Sequence, residues 1–334
     1  MAPVAMMCAA LGIGVRLRVP QARALAARAG RTEVRLAAGP AAAQVRNPYG
    51  HARLDRIISH ATGLSRKDVS RALRKGLVHV DGATERDGAR KVALGGAVGV
   101  TFDGEPLELR PPPLLVAFHK PLGMHSTMAD ERGRTDLAAA LVEQPPLWRD
   151  ELHPVGRLDA DTSGLLLFSS SGGLTQRLLH PRHGTEKEYA ALVGGAPIDD
   201  GGAALRATLA AGVQTTEGTH AAALLDVVVL DNDGARAAAE ETARAAESAG
   251  LRRDDGAPPI QPVATLRLSV TEGKHRMVRR LLANAGHPVL ALHRVRFGDV
   301  VLDPDELPPG ASAVVGGDAL AWAERLAEIG AAQG

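Results

Sequence analysis

Between residues 114 and 293, six short runs rich in leucine, valine and alanine alternate irregularly with stretches of helical character. The runs cover residues 114–118, 165–169, 188–193, 224–230, 266–270 and 289–293. Each run has the length of a strand, and an irregular mixture of strands and helices is typical of an α+β domain. The sequence therefore predicts an α+β fold for the larger part of the chain.

A smaller unit with its own helical pattern precedes this region. Residues 54–61 and 66–75 are predicted helices. Gly63 separates them, and Gly76 follows the second helix at the position where helices often stop. Because the two stretches are short and closely spaced, they predict a compact helical pair.

Two predicted strands follow at residues 77–80 and 98–102, and they run into Asp81-Gly82 and Asp103-Gly104. Asp-Gly dipeptides favour tight hairpin turns. Arg110 and three prolines at 111–113 then form a stiff linker. A chain of 334 residues exceeds the usual size of one domain, so we predict several parts. These are a leader at 1–50, a small domain at 51–110, a larger domain at 114–310, and a helix and tail at 311–334.

Two segments lack the apolar pattern of a packed core. Residues 1–50 are rich in alanine and arginine, contain Glu33 as the sole acid and lack serine. Arginine-rich, acid-poor segments are typical of organelle transit peptides, which predicts import with the plastid favoured over the mitochondrion. The alternative is a bacterial-type cytoplasmic protein with an N-terminal extension. Residues 231–261 are mostly alanine, charge, glycine and proline, and we expect an exposed insertion that is partly helical.

The composition excludes several kinds of site. Cys8 is the only cysteine, so an internal disulfide and a zinc site built on paired thiolates are both excluded. No histidine pair has convincing metal-ligand spacing, and no metal ion is expected. No uncharged apolar run reaches the ~20 residues that span a bilayer, so no membrane association is expected. Aromatic residues are few, and the only tyrosines are Tyr49 and Tyr189.

The second predicted helix concentrates positive charge. It carries Arg66, Lys67, Arg71, Arg74 and Lys75 against a single aspartate. Four of the five cations, all but Arg66, are spaced to share one helix face. Such a stripe suits a phosphate backbone, although a charged face is more often simply solvated.

The segment around this helix contains Arg-Leu-Asp-Arg-Ile-Ile at 53–58, Gly-Leu-Ser-Arg at 63–66 and Gly-Leu-Val-His-Val-Asp-Gly at 76–82. On these residues, the segment 53–103 resembles the alpha-L RNA-binding module. A small-subunit ribosomal protein, tyrosyl-tRNA synthetases and many RNA-modifying enzymes share that module. The resemblance implies that the five cations of the second helix contact RNA.

A loop bounded by glycines carries the clearest chemical signal. His-Pro-Val-Gly-Arg-Leu-Asp at 153–159 is followed by Asp-Thr-Ser-Gly at 161–164 and then by an apolar strand. This order presents Arg157 and Asp159 at the end of a sheet, where a substrate can reach them. Most loop aspartates only shape turns, so the loop by itself leaves catalysis open.

The loop resembles the signature of the pseudouridine synthases that act on ribosomal RNA, in the branch typified by the small-subunit enzyme RsuA. The likeness includes Lys-Pro-Leu-Gly at 120–123, His-Pro-Arg-His at 180–183, Glu-Lys-Glu-Tyr at 186–189 and Glu-Gly-Lys-His-Arg-Met-Val-Arg-Arg at 272–280. It covers residues 54–307. It implies that the larger domain has a mixed, largely antiparallel sheet of the pseudouridine synthase type.

The resemblance also implies roles for three residues. Asp159 matches the essential catalytic aspartate, and Tyr189 matches the tyrosine that stacks on the target base. Arg279 matches the basic residue that pairs with the catalytic aspartate. A paired guanidinium would keep Asp159 ionised, because an opposite charge offsets the cost of burying a carboxylate. Without the resemblance, Tyr189 could simply fill the core and Arg279 could lie on a solvated helix.

Neighbouring positions complete the expected site. Arg157 is expected to help hold the place in the RNA that the target base leaves. His275 and Arg276 are expected to contact RNA as well. Met277 stands where the family commonly has glutamine or glutamate, so a polar contact near the site is expected to be missing.

The implied reaction converts a specific uridine in ribosomal RNA, with the small subunit favoured, to pseudouridine. The bond from ribose to the ring nitrogen breaks, and the uracil turns and rejoins through a ring carbon, so no cofactor is required. Whether the aspartate acts as a nucleophile or as a base stays open. The expected partner is ribosomal RNA or a pre-ribosomal particle, and the protein is expected to be a monomer.

Two other classes of function compete with this one. An RNA-binding assembly factor without chemistry would not need Asp159, Tyr189 and Arg279 together. A glycosidase usually needs two carboxylates about 5 to 10 Å apart, and Asp161 lies too near Asp159 in sequence to be taken as that partner.

A fluorescent protein fused behind residues 1–50 tests the leader. We expect it to enter an organelle of a plant cell, with the plastid favoured, because the segment is rich in arginine and nearly free of acid. A control fusion with Arg23→Glu and Arg28→Glu should stay in the cytosol. Diffuse cytosolic fluorescence from the unaltered fusion would contradict the prediction.

Overall fold

The computed structural model describes residues 51–93, 98–107, 112–128, 136–142, 144, 146–195, 200–251 and 262–331. The predicted leader at 1–50 lies outside the described residues. Within the described ranges the fold is α+β, as predicted. None of the described helices combines the length and the apolar character needed to cross a membrane.

The smaller unit joins two helices to two small sheets. Its strands are β1 (His51–Arg53), β2 (Val78–Val80), β3 (Ala83–Thr84), β4 (Lys91–Ala93), β5 (Val100–Phe102) and β6 (Glu105–Pro106), and its helices are α1 (Leu54–Thr62) and α2 (Arg66–Arg74). Strands β1 and β4 pair with each other, and the other four form an antiparallel sheet in the order β3-β2-β5-β6. Leu54, Ile58, Leu73 and Val80 lie in the buried core between the helices and the strands.

Local sequence explains these boundaries, which agree closely with the predicted ones. Gly63 ends α1 in the left-handed conformation at φ 73°, and Ser65 caps α2 by accepting a hydrogen bond from the backbone N–H of Asp68 at 3.2 Å. Asp81 and Asp103 begin the two hairpin turns with φ of 50° and 51°, each followed by a glycine with positive φ. Two consecutive positive φ angles match the twist of hairpin strands, which is why the Asp-Gly dipeptides identified both turns.

The larger unit is built on one nine-stranded sheet and a separate hairpin. Its strands are β7 (Leu115–Lys120), β8 (His153–Pro154), β9 (Thr162–Ser169), β10 (Lys187–Gly194), β11 (Val213–Thr215), β12 (Gly218–His220), β13 (Ala223–Val229), β14 (Val263–Val270), β15 (Val289–Phe297), β16 (Val300–Val301) and β17 (Ser312–Val314). The hairpin is β11–β12, and the main order of the sheet is β13-β14-β10-β15-β9-β7-β17. Every neighbouring pair in that order is antiparallel except β15–β9, so the predicted mixed, largely antiparallel sheet is confirmed.

Helices cover both faces of this sheet. They are α3 (Pro146–Glu151), α4 (Gly172–Leu179), α5 (Ala203–Ala211), α6 (Asn232–Ser248), α7 (Met277–Asn284) and α8 (Gly317–Ala331), with 3-10 helices at Leu137–Leu141 and Pro181–His183. Strands β7, β9 and β10 are buried along their whole length, which requires cover on both sides. One core contains Phe118, Tyr189 and Leu281 and includes side chains of α5 and α7. The other contains Leu165 and Leu178 and includes side chains of α4 and α8.

The parallel pairing of β9 with β15 determines where the loop before β9 ends. Strand β9 lies beside β15 at residues 162–164, where Gly164 pairs with Arg294. Gly164 has φ 108°, and a Cβ added to it would lie 2.5 Å from the backbone nitrogen of Arg294. Glycine is required here, because both the φ angle and the close backbone exclude a side chain. The loop at 156–161 therefore delivers its residues to the middle of the sheet.

The partly helical character predicted for residues 231–261 is present, but the helix is not fully exposed as the sequence predicted. Helix α6 occupies Asn232–Ser248 and buries Ala235 and Ala238 in a core that also contains Ala190 and Leu192 of β10. Alanine side chains are too small to register as an apolar stripe, yet they let a helix pack closely on a sheet. Residues 252–261 lie outside the described ranges.

The C-terminal segment, predicted as a helix and tail behind the larger domain, also contributes to the sheet. Strand β17 pairs with β7 at the edge of the sheet, and α8 packs against α4 with Ala323 fully buried. A three-residue edge strand carries too short a pattern to be recognised in the sequence.

Ion pairs join the smaller unit to the larger one. Arg56 of α1 contacts Asp150 and Glu151 of α3 at 3.1 and 2.9 Å, and His60 lies 2.8 Å from the carboxylate of Asp150. The side chains of Arg56 and Asp150 are 28% and 44% exposed. Partly solvated ion pairs contribute only about 0 to 1 kcal/mol each, so this junction is weak and electrostatic.

Replacing Gly164 with alanine tests the close strand contact. We expect Gly164→Ala to lower the free energy of unfolding by roughly 2 to 6 kcal/mol, because it combines backbone strain with an overpacked contact. Urea unfolding followed by circular dichroism measures the change. Gly173→Ala is the matched control, since the nearest atom to its Cβ would be Ser171 Oγ at 4.0 Å. Equal stability of the two variants would contradict the argument.

Candidate active site

The loop at 156–161 connects β8 to β9, and hydrogen bonds to its backbone atoms hold it in place. Leu158 is buried, its N–H donates to Ser126 Oγ at 3.0 Å, and its carbonyl accepts a hydrogen bond from the same hydroxyl at 2.5 Å. The N–H of Thr162 donates to the carbonyl of Asp159 at 3.0 Å. With Leu158 anchored inward, Arg157 is exposed and Asp159 is half-buried.

A pocket of about 510 Å³ opens beside this loop. It is lined by Arg157, Asp159, Lys187, Tyr189, Leu292 and Arg294, together with residues 272–278 before and at the start of α7. The structure therefore brings the predicted site residues Asp159, Tyr189, Arg157, His275 and Arg276 to one pocket, and their individual roles stay predictions. Arg279 lies behind the wall of the pocket rather than on its surface.

Tyr189 lies in the middle of β10, where its neighbours in the adjoining strands are Leu268 and Arg294. Its side chain is 7% exposed, packs in the main core and forms part of the pocket wall. Among the described lining residues it is the one phenylalanine, tyrosine or tryptophan. Tyr189 therefore packs in the core and also presents part of its side chain to the pocket, while its stacking on a base stays a prediction.

The predicted pairing of Arg279 with Asp159 is wrong within the described residues. Arg279 Nε instead lies 3.4 Å from Asp161 Oδ2, and its Nη2 donates to the backbone carbonyl of Asp161 at 2.6 Å. Arg276 grips the same carboxylate with both guanidinium nitrogens, at 3.0 and 2.8 Å. The physical reason is local: Arg276 and Arg279 stand one helical turn apart, and the carboxylate that both can reach is Asp161, two residues beyond Asp159.

These contacts determine the protonation of Asp161. Burial acts to raise the pKa of Asp161, but the hydrogen bonds from Arg276 and the charges of Arg279 and Arg276 outweigh it and hold the pKa below its usual value. Asp161 is thus an anchor for two arginines. The carboxylate of Asp159 has no ion-pair partner within 4.0 Å in the described part of the chain, and it faces the pocket.

Two buried lysines lie beside the site, and their position was not predicted from the sequence. Lys120 Nζ donates to the carbonyl of Thr162 at 2.8 Å. Burial lowers the pKa of Lys120 to about 8, although the charges of Asp161 and Asp159 act to raise it. Burial and then the charge of Arg294 lower the pKa of Lys187 to about 8. Both lysines fall within the motifs that carry the resemblance, but spacing alone does not reveal that they are buried.

The segment before α7 contributes the other predicted contacts. His275 is exposed and accepts a hydrogen bond from Arg280 at 3.1 Å. Arg276 adopts a left-handed φ of 52° directly before α7, which turns its side chain toward Asp161. Met277 is 4% exposed and packs in the main core while also lining the pocket. An apolar side chain thus fills the position where a polar contact was expected to be missing.

The cations of α2 lie on the smaller unit. Arg66, Lys67, Arg71, Arg74 and Lys75 are exposed, and the opposite face of the helix buries three apolar residues. Arg71 forms one exposed ion pair, with an aspartate one turn earlier, at 3.1 Å. Within the described residues, no group of three or more histidine, cysteine, aspartate or glutamate side chains could hold a metal ion.

Comparisons with known proteins identify the family. The family model described as RNA pseudouridylate synthase matches residues 114–284. An uncharacterized RNA pseudouridine synthase of Mycobacterium tuberculosis is 36% identical over 257 residues, covering 77% of this chain and 87% of the relative. The ribosomal small subunit pseudouridine synthases A of Yersinia pestis and Escherichia coli K12 are 33% and 30% identical, covering 77% of this chain and 92% and 94% of the relatives.

A solved pseudouridylate synthase structure aligns with 82% of this chain and 99% of its own, at 24% identity and a TM-score of 0.44. On the family match and the curated relatives, the chain belongs to the RNA pseudouridylate synthase family. It is an RNA pseudouridine synthase, an isomerase that rearranges uridine within an RNA chain.

The anchoring role of Asp161 predicts a specific dependence of stability on pH. The pKa of Asp161 is lower in the folded protein than in the unfolded chain, where it is about 4. The contribution of Asp161 to the free energy of unfolding is therefore fully present above pH ~4 and is lost as the pH falls through the folded pKa. The difference in unfolding free energy between the parent and Asp161→Asn should be constant from pH 7 to about 5 and shrink below about 4. Urea unfolding across this pH range measures it.

The control for this experiment is Asp233→Asn on α6. The Asp233 side chain is 92% exposed, so its substitution should change stability little at any pH. If the difference in unfolding free energy between the parent and Asp161→Asn did not vary with pH, the contacts of Arg276 and Arg279 would not depend on the charge of Asp161.

Proposed function

We propose that the chain converts a uridine of ribosomal RNA, in the small subunit, to pseudouridine, with Asp159 as the catalytic carboxylate. The substrate is supported by the similarity to the ribosomal small subunit pseudouridine synthases A of two bacteria. The chemistry is carried by one observation: the Asp159 carboxylate faces a pocket of about 510 Å³ that also contains a buried tyrosine.

The reaction needs a carboxylate close to the glycosidic bond. The bond between the ribose carbon and the ring nitrogen breaks, the uracil turns, a bond forms to a ring carbon, and one proton moves from that carbon to the ring nitrogen. Atoms and electrons balance within the nucleotide, so the reaction needs no cofactor. Asp159 acts either as a nucleophile or as a base.

Positive charge around the pocket favours this chemistry. Lys187 and Arg294 line the pocket, and the charge of Asp159 acts on Lys120 and Arg279 from outside ion-pair distance. These cations stabilise negative charge that develops on the uracil when it leaves the ribose with the bonding electrons.

The target base must leave its stack to enter the pocket. Flipping a nucleotide costs a few kcal/mol, and stacking on an aromatic ring returns about 1 to 3 kcal/mol. Tyr189 provides that ring, and Arg157 lies exposed at the mouth, where it can contact the RNA that the base has left. His275 and Arg276 occupy the other side of the mouth, with Arg276 acting through Asp161.

Asp159→Asn tests the catalytic assignment. We expect pseudouridine formation in a small-subunit ribosomal RNA transcript to fall about ten-thousandfold or more, the scale of losing an essential catalytic group. RNA affinity should stay within a few-fold, because one loop carboxylate contributes little to phosphate binding. Single-turnover rates and filter binding measure the two effects. Near-parental turnover would reject Asp159, and Asp233→Asn is the control for a remote loss of one charge.

Helix α2 is proposed to hold phosphates of the same RNA. Replacing Lys67, Arg71 and Arg74 with alanine should flatten the slope of log affinity against log salt by roughly 2 to 3, since each lost phosphate contact removes about 0.7 to 0.9. The control replaces Arg236, Arg244 and Arg325, three exposed arginines of α6 and α8. Equal slopes for the two triple variants would show that α2 faces solvent in the complex.

The location of the protein also stays a proposal. Residues 1–50 are proposed to direct import into an organelle, with the plastid favoured over the mitochondrion, and a bacterial-type cytoplasm is the alternative. The acid-poor, arginine-rich composition of the segment supports this. The fluorescent fusion of residues 1–50 is its test.

A further inference from the structure

A basic corner lies beside the pocket and is outside the site described so far. It consists of residues 177–183, the end of α4 and the 3-10 helix Pro181–His183. Leu179, in the corner, is 40% exposed and lines the pocket. A Cβ added to Gly156 would lie 2.9 Å from Leu179 Cδ2, so the corner touches the loop that carries Asp159.

The corner is held in one shape by contacts beneath it. Leu174 and Leu178 are fully buried and belong to the core that includes α8, which fixes the helix. The backbone N–H of Arg182 donates to His180 Nδ1 at 3.2 Å. Gly184 ends the turn with φ 59°, and its N–H donates to the carbonyl of Pro181 at 2.9 Å. The exposed side chains of the corner therefore project from a fixed frame.

Within the described part of the chain, no acid pairs with the arginines of the corner. Residues 162–185 contain no aspartate or glutamate. Neither Arg177 nor Arg182 forms an ion pair within 4.0 Å among the described residues. The next acid along the chain, Glu186, is already paired with Arg296 at 2.7 Å.

The basic groups of the corner also lie close to one another. Arg182 Nε donates to His183 Nε2 at 3.1 Å, and the rings of His180 and His183 are 6.0 Å apart. Desolvation and the charges of Arg182, Arg177 and His180 all lower the pKa of His183. Arg177, Arg182 and the two imidazoles therefore form one cluster.

The basic residues before α7 and in its first turn differ in this respect, because they already have partners. Arg276 is paired with Asp161, and Arg280 is paired with Glu217 at 2.8 Å. Lys274 donates to the backbone carbonyl of Glu217 at 3.2 Å. A phosphate that approached those cations would compete with existing partners, whereas guanidinium groups without an acid can bind a phosphate directly.

We propose that the basic corner binds phosphates of the RNA strand that flanks the target uridine, with Arg177 and Arg182 as the cations that contact them. Arg157, exposed on the adjoining loop, extends this track to the mouth of the pocket. The ligand is a single-stranded phosphodiester backbone, because the flipped nucleotide interrupts pairing at the site. The inference rests on the proposed function for the identity of the RNA.

The test compares two double variants of the full chain that lose the same charge. Arg177→Ala/Arg182→Ala removes the corner cations. Arg236→Ala/Arg244→Ala is the control, because α6 packs with Ala190 and Leu192 on the sheet face opposite Tyr189. Both are titrated with a 20-nucleotide single-stranded oligonucleotide containing one uridine, and with a small-subunit ribosomal RNA transcript, at several salt concentrations.

We expect the slope of log affinity against log salt to fall by about 1.4 for the corner variant with the oligonucleotide, since each phosphate contact on a single strand contributes about 0.7. The control should keep the parental slope. Arg177→Lys/Arg182→Lys should restore most of the slope, because the interaction requires charge. Equal slopes for the corner variant and the control would overturn the proposal.

The two RNA probes separate this proposal from the proposed function. If the corner variant loses slope on the oligonucleotide but the parent does not modify the ribosomal transcript, the corner is supported and the substrate is wrong. If the parent modifies the transcript but both slopes are unchanged, the substrate is supported and the corner is rejected.

Discussion

The carboxylate of Asp161 joins the two halves of the active site. It lies directly before β9, accepts two hydrogen bonds from Arg276 directly before α7, and forms an ion pair with Arg279 in the first turn of α7. Arg279 also donates to the carbonyl of Val289 at 3.3 Å, so the same guanidinium reaches β15. A loop, a helix and a strand are thus tied through one partly buried acid. Removing one partner of such a network leaves the others buried without compensation, which is why it is sensitive to single substitutions.

The sheet supplies the rest of the frame. Lys187 and Tyr189 of β10 line the pocket, while Glu188 between them points to the other face. There Glu188 is paired with Arg267 of β14 and Arg296 of β15, which ties three neighbouring strands together. Alternation along one strand therefore places the pocket-lining residues and the ion-paired Glu188 on opposite faces of the sheet.

The sequence predicted the elements better than the contacts between them. The Asp-Gly turns, the glycine that ends α1 and the apolar run of β9 are local signals, and each one identified the right element. The motif order also identified Asp159 and Tyr189 as residues of one pocket. In contrast, the partner of Arg279 depends on which of two carboxylates, two residues apart, faces α7.

Other features that were missed also depend on distant residues. Helix α6 is held by alanines whose burial requires the opposing surface of β10, and β17 is a strand because β7 offers a free edge. The burial of Lys120 and Lys187 depends on the whole sheet. Neither spacing nor composition encodes these relations, because each is decided by packing across the fold.

The weak junction between Arg56 and α3 affects how salt acts on this enzyme. Salt screens the ion pairs between the units, and it would also screen the phosphate contacts proposed for α2. Rising ionic strength therefore weakens the junction between α2 and the larger unit together with the proposed RNA contacts. With the junction weakened, the smaller unit would contribute to RNA binding only through the effective concentration of a linked module. The total salt dependence of RNA binding would therefore include both the junction between the units and the proposed phosphate contacts. Comparing variants that share the same junction isolates the contribution of the phosphate contacts.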